Sequence, residues 1–283
     1  MKKQFLFIFL LFIQFNFVAF ASEPFRFALF SDLHITTVNP QPTEDLQNAV
    51  NDVNSLKSID FVLVSGDISN LGDTVSLKIA KQTLQKLNMP YYIIPGNHDV
   101  RWSEPQAINF KRVFKDNKFT FTHKGFQFIG FTTAPLTKSN NGSIQKQDIN
   151  WMKTVLKKTG KQMPIFIVTH YPLQTGDVDN WFEMTDVLRK YNIQAVLGGH
   201  YHRNVLFNYD EIPGIISRST LRNHDAVGGY SIFNILDSIQ VFEKKIGQPE
   251  YLWLTMPIET KKYDLPNPTL RSQNTTLSKQ SDL

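Results

Sequence analysis

The chain has 283 residues, 41% of them hydrophobic, with 30 basic and 25 acidic side chains and a formal net charge of +5. This length and apolar content suit one globular domain with a substantial core, and so mild a basic excess gives no warrant for nucleic-acid or membrane-surface binding. The sequence has no cysteine, which excludes disulfides, thiolate metal ligands, cysteine nucleophiles and a lipidated N-terminal cysteine.

Met1, Lys2 and Lys3 precede an apolar run from Phe5 to Phe20, broken by Gln14 and Asn16 and closing on Ala19-Phe20-Ala21. A charged start, an apolar middle and a small-x-small end read as a secretory signal peptide over residues 1–21. The run falls short of the about 20 apolar residues of a comfortable membrane span, so an uncleaved anchor is the weaker reading. The mature chain is expected to begin at Ser22, in the periplasm or outside the cell. Loss of Lys2 and Lys3 leaves 28 basic against 25 acidic residues, a charge of +3.

Short apolar runs rich in Phe, Ile and Val then alternate with amphipathic stretches. Strands are predicted over Phe25 to Phe30, Phe61 to Val64, Tyr91 to Ile94, Phe126 to Phe131, Ile165 to Val168 and Ile193 to Leu197. A later series runs through Val205 to Phe207, Ile215 to Ser217, Tyr230 to Ile235 and Ile239 to Phe242. Leu46, Ala49, Val50, Val53 and Leu56 recur at helical spacing, with Thr43 as the expected cap. Further helices are predicted over Thr74 to Leu87, Asp148 to Leu156 and Trp181 to Tyr191. The alternation points to an α/β domain of layered α-β-β-α form over residues 22–260. From Lys261 to residue 283 the composition turns polar and reads as a solvated, disordered tail.

Polar residues fall where these strands end. Asp32 and His34 follow the first; Asp67 follows the second in Ser65-Gly66-Asp67. Asn97, His98 and Asp99 follow the third through Pro95-Gly96. His170 follows Ile165 to Thr169, and His200 and His202 follow Ile193 to Leu197 through Gly198-Gly199. Carboxyl edges of such strands are where loops converge on a ligand. Singly, each residue is more often a cap or a hydrogen-bonding group than a ligand. Jointly, five of the seven histidines lie inside the motifs. In an extended segment, Asp32 and His34 would point to one side, as would His200 and His202, because the strand period is two. The glycines at 66, 96, 198 and 199 suit sharp turns and close approach.

The series Asp32-x-His34, Gly66-Asp67, Gly96-Asn97-His98-Asp99, His170 and Gly199-His200-x-His202 resembles the calcineurin-like metallophosphoesterases in order and spacing. The resemblance implies a four-layer sandwich and a phosphoesterase with two divalent or mixed-valence ions, of Mn, Fe or Zn. It implies that Asp32, His34, Asp67 and His202 hold one ion and Asp67, Asn97, His170 and His200 the other, with Asp67 as bridge. A metal-bridging hydroxide would attack phosphorus, His98 would protonate the leaving oxygen, and Asp99 would orient the His98 ring.

Asn97, Arg101 and Arg222 are the expected substrate-binding residues, with Arg203 and Arg218 as weaker candidates. Trp102 and Trp181 are candidate walls for the alcohol, and core packing is as good a reading of each. His123 reads as a solvent-facing residue, and His224 as one that approaches the site only with low odds. Purple acid phosphatases carry a tyrosine three residues after the bridging aspartate. Asn70 stands there, which argues for the branch of bacterial cyclic-nucleotide phosphodiesterase-like enzymes. The expected partner is a small-molecule phosphoester, with no nucleic acid and no stable membrane span after signal cleavage. The alternative is an inactive metal- or nucleotide-binding protein on the same scaffold.

Overall fold

The computed structural model describes residues 23–101, 107–134, 141–222 and 226–263. The expected signal peptide, Trp102, His224 and residues 264–283 of the polar tail lie outside them. Two six-stranded sheets make up the centre. In the first, β1 (Phe25–Phe30), β2 (Phe61–Val64) and β3 (Tyr91–Ile93) run parallel. Parallel neighbours need crossovers, supplied by α1 (Gln41–Ser55) and α2 (Thr74–Leu84). On the other side of β1 the antiparallel strands β10 (Gly229–Ile235), β11 (Ser238–Lys245) and β12 (Glu250–Pro257) complete the order β12-β11-β10-β1-β2-β3.

The second sheet has the order β4-β5-β6-β7-β9-β8. Its parallel heart is β5 (Phe126–Gly130), β6 (Ile165–Val168), β7 (Ile193–Gly198) and β9 (Ile212–Ile216), with α5 (Lys146–Thr159) and α6 (Trp181–Leu188) as crossovers. The edges are β4 (Phe119–His123) and β8 (Val205–Tyr209), both antiparallel to their neighbours.

Strand alternation assigns the layers. Phe27 and Leu29 of β1 face the second sheet, where Phe27 meets Phe128 and Phe166, and within their own sheet the Phe27 ring stacks 4.6 Å from Phe233 of β10. Ala28 and Phe30 face the opposite way, onto Leu46, Val50, Val53 and Leu77 of α1 and α2. On the far side, Ile149, Met152, Leu156, Met184 and Leu188 of α5 and α6 cover Ile129, Ile167 and Val196. Both faces of the central strands are therefore buried, which is why they read as unbroken apolar runs. The helix-sheet-sheet-helix order is the layered fold that the sequence implied.

Some elements differ from the expectations. Helix α1 starts at Gln41 after Pro40, with Thr43 inside its first turn, and the N–H of Gln41 is taken by the Asn39 side chain at 3.0 Å. Helix α2 stops at Leu84. Strands β4 and β12 and the short helix α4 (Ile108–Phe114) were not foreseen, because β12 and β4 are half-exposed edge strands with little apolar contrast. The stretch expected to be solvated from Lys261 onward begins as a strap. The Lys261 N–H donates to Asn192 at 2.8 Å, and the Tyr263 hydroxyl reaches the Ile193 carbonyl beside β7. Among the described residues, no helix is long and apolar enough to cross a membrane.

Candidate metal centre

The carboxyl ends of β1, β2 and β3 in one sheet and of β6 and β7 in the other meet at one edge of the sandwich. Asp32, His34, Asp67, Asn97, His170, His200 and His202 all stand on the turns that leave these strands. Asn97 opens a helical turn, α3 (Asn97–Arg101).

The turns are not extended, as the strand-period reading had them. Asp32, His34, Asp67, His200 and His202 all have left-handed backbones, with φ of 55°, 46°, 52°, 74° and 56°. For an L-residue with a Cβ this costs about 1–2 kcal/mol each. Main-chain bonds hold part of it in place, Asp32 N–H to Gly66 O at 3.1 Å and His34 N–H to Asp67 O at 2.9 Å. His200 N–H donates to the Asp32 carboxylate at 3.1 Å. Such strain in a well-packed region gathers where a site needs it. Asp32 and His34 still reach one cluster because the left-handed turn recurs at alternate residues.

Donor atoms converge closely. His34 Nε2 lies 3.1 Å from His202 Nε2, 3.7 Å from Asp67 Oδ2 and 3.9 Å from Asp32 Oδ1. His202 Nε2 is 3.3 Å from Asp32 Oδ1. On the other flank His170 Nε2 is 3.2 Å from Asp67 Oδ2 and 3.0 Å from Asn97 Oδ1. Asp67 thus stands between two groups: with His170 and His200 on one side, and beside Asp32, His34 and His202 on the other. Atoms about 2.1 Å from a common ion lie about 3.0 to 3.5 Å apart, so the donor set fits ions bound through imidazole and carboxylate.

Electrostatics give the same reading. Asp32 and Asp67 are fully buried, and among the described residues neither pairs with lysine or arginine. Burial opposes the charge on Asp67, but His170, charged and hydrogen-bonded, together with His34 and His98, holds its carboxyl far below the usual range. Burial likewise works against the His170 charge, yet Asp67 and Asp32 push that ring up to about 9. Burial and the His170 charge push His200 down to about 4. Two buried carboxylates therefore rely on protonated imidazole in place of a cation, a balance that a metal ion would take over with loss of protons.

Tautomers are set by acceptors that can only accept. The Ser65 carbonyl takes His170 Nδ1–H at 2.9 Å and leaves Nε2 to face Asp67 and Asn97. The Asn70 carbonyl lies 2.9 Å from His98 Nδ1 and does the same there. The ring partner expected for His98 was Asp99, and the structure places that carboxylate elsewhere. Asp99 is buried and accepts from the N–H groups of Ile68 and Gly96 at 2.9 Å, from the Ser69 N–H at 2.8 Å and from the Ser69 hydroxyl at 3.0 Å. Consecutive residues on the α3 turn point about 100° apart, so His98 and Asp99 address different neighbours. Asp99 holds the loop that carries Asn70, and burial with the nearby Asp67 charge raises its carboxyl to about 6.

Arg222 also lies away from its expected role. Its guanidinium sits 2.9 Å from Asp45 and 2.7 Å from Glu44 at the start of α1. Arg222→Gln is expected to lower stability by about 1 kcal/mol or less and to leave KM for a phosphodiester unchanged. A KM raised about ten-fold, the size of one charged hydrogen bond, would return it to the substrate. Arg218 is buried against Glu243 at 2.6 Å, and Arg203 is exposed. The Arg101 side chain lies outside the described residues.

Trp181 packs in the core under the second sheet, with its N–H on Thr175 at 3.2 Å. His123 is paired with Asp60 at 2.7 Å and edges onto Phe25 and Phe61, so it does not simply face solvent. Sequence reasoning missed Asp177, whose Oδ1 lies 3.8 Å from His200 Nε2, because no motif surrounds it. The carbonyls of Ser65 and Asn70 leave no side-chain signal at all.

The chain is 30% identical over 177 residues to the probable glycerophosphodiester phosphodiesterase of Arcobacter nitrofigilis, covering 56% of this chain and 62% of that protein, less than two thirds of it. It is 25% identical over 247 residues to the probable cyclic nucleotide phosphodiesterase of Coxiella burnetii, covering 83% of this chain and 95% of the other. A solved dimetal phosphatase from Danio rerio superposes with a TM-score of 0.67 at 14% identity, over 83% of this chain and 99% of its own, a likeness of fold. Residues 25–204 match the calcineurin-like phosphoesterase profile. With more than half of its length so matched, the chain belongs to the calcineurin-like phosphoesterase family of enzymes.

Proposed function

We propose that the protein is an exported phosphoesterase that uses two metal ions of Mn, Fe or Zn and prefers phosphodiesters. The convergence of seven donor side chains from two sheets, with Asp67 at their centre, carries the reading. The names of its phosphodiesterase relatives favour diesters over monoesters, and the apolar N-terminal run of the sequence supports export. Asp32, His34, Asp67 and His202 would hold one ion, and Asp67, Asn97, His170 and His200 the other. Bound there, the ions would supply Lewis acidity toward the phosphoryl oxygens and lower the pKa of water toward neutrality.

The chain's own residues supply the rest. Asp67 is fixed at Oδ1 by the His98 N–H at 2.8 Å, so only Oδ2 faces the imidazoles. His98, with Nδ1–H committed to Asn70, keeps Nε2 as the position from which a second proton is given. As the bond from phosphorus to the leaving oxygen breaks, that proton goes to the oxygen, and the product alcohol departs neutral. Asn97, beside His170, stands where a phosphoryl oxygen would meet an amide.

The test is turnover of bis-p-nitrophenyl phosphate and p-nitrophenyl phosphate by purified protein stripped with a chelator and refilled with Mn, Fe or Zn. Chelation is expected to abolish activity, refilling to restore it, and the diester to turn over faster. No turnover of either ester with any of the three metals would defeat the reading.

A further inference from the structure

Three histidine rings at the site differ in what holds them. His170 and His98 each give Nδ1–H to a main-chain carbonyl. Among the described residues no main-chain carbonyl takes a His200 ring nitrogen in this way; what its Nε2 meets is a carboxylate, Asp177 Oδ1, at 3.8 Å. Asp177 itself is buried and firmly held. Its Oδ2 accepts the Tyr201 hydroxyl at 2.8 Å and the Gln174 amide at 2.6 Å, and Gln174 also donates to the Tyr201 oxygen at 3.0 Å. With Oδ2 occupied twice, Oδ1 is the oxygen left toward His200.

The ring is confined as well. Tyr171 meets it edge-on with centroids 4.2 Å apart, and Tyr201 lies 5.5 Å away on another side. Neutral imidazole carries one N–H, so whichever nitrogen keeps the proton leaves the other as the ligand atom. The loop bearing Asp177 is anchored by the Gly142 N–H to Asp177 O bond at 2.7 Å and by Asn141 on Asp179 at 2.8 Å.

We propose that Asp177 is the positioning residue for His200: its carboxylate, in ion-pair rather than hydrogen-bond range of Nε2 at 3.8 Å, would accept the Nε2–H as the ring settles, so that Nδ1 is the nitrogen offered to a metal ion beside Asp67, Asn97 and His170. The inference rests on the two-metal reading above and adds to it a residue outside the metal-ligand motifs. Outer carboxylates of this kind orient a ligand imidazole and raise its basicity, and their loss typically costs about 10- to 100-fold in metal affinity.

The test uses the full chain, labelled with ¹⁵N-histidine and loaded with zinc. Long-range ¹H–¹⁵N spectra are expected to show His200 bound through Nδ1 with a protonated Nε2. Chelator competition on Asp177→Ala is expected to weaken one zinc about 10- to 100-fold and leave the other unchanged. Asp177→Asn, which keeps one acceptor oxygen, should fall between it and the wild type. Tyr201→Phe, which removes one of the two hydrogen bonds to Oδ2 and leaves the carboxylate itself in place, should shift the same zinc in the same direction by less. Asp179→Asn in the same loop should shift neither.

A His200 bound through Nε2, or an Asp177→Ala protein that holds both zincs at wild-type affinity, overturns the proposal while the two-metal reading stands. A wild type that binds no zinc overturns both. If Asp177→Ala does not fold, the wild-type spectrum and Tyr201→Phe still decide.

Discussion

Gly96→Ala is expected to lose both metal and activity. A Cβ at that position would lie 2.2 Å from Asp67 Oδ1 and 2.3 Å from the Asp67 main-chain nitrogen, distances that real contacts never show. Neither atom can yield. Oδ1 is tied to the His98 N–H, the Asp67 carbonyl to His34 N–H, and Gly96 N–H to Asp99. The added methyl must therefore drive Asp67 out of its place between the two groups of donors. Overpacking of this kind costs about 1–3 kcal/mol of stability, and a displacement of about 1 Å at a reacting centre costs about 100-fold in rate. Elemental analysis and kcat/KM for bis-p-nitrophenyl phosphate check this together. Full metal content with near-normal turnover would show that Asp67 is not where the chemistry depends on it.

The second large effect separates proton donation from metal binding at one residue. His98→Ala is expected to lower kcat by about 10² to 10⁴ for an unactivated alkyl diester. The loss should be much smaller for bis-p-nitrophenyl phosphate, whose leaving group needs no proton. Metal content should stay at the wild-type level. His98 lies close enough to His34 and Asp67 to form a possible ligand group with them, so loss of an ion from His98→Ala would make it a ligand. An equal loss for both esters would remove it from the proton-transfer step.

Much of this was legible in the sequence, and for one physical reason. A buried parallel strand reads as an apolar run, and a polar residue just past its end stands at the edge where loops meet. Asp32, Asp67, Asn97, His170 and His200 were visible on that ground, and the structure brings them together with His34 and His202. What stayed hidden depended on backbone conformation or on contacts across the fold. The left-handed turns at Asp32 and His202 carry no local signature, since neither residue is glycine. Asp99 was paired with its sequence neighbour because the helical turn of α3 was not foreseen. Arg222 sits 178 residues from Glu44 and could not be matched to it from pattern alone. Asp177 was silent for the same reason. The outermost strands were missed because their exposed faces dilute the period-two signal, whereas Tyr263 was swept up in a stretch whose average composition is polar.

The left-handed turns have a further implication for the order of events in the life of this molecule. Asp32 and His34 are locked by peptide groups of the neighbouring turn, and His200 by the Asp32 carboxylate, so their poses do not wait for an ion. A proton on His170 balances the buried carboxylates meanwhile, and a bound cation would displace it. A vessel shaped before it is filled does not select its contents through folding. Nitrogen and oxygen donors of this kind accept Mn, Fe and Zn alike, so under the proposed two-metal reading the local supply would decide which of them binds.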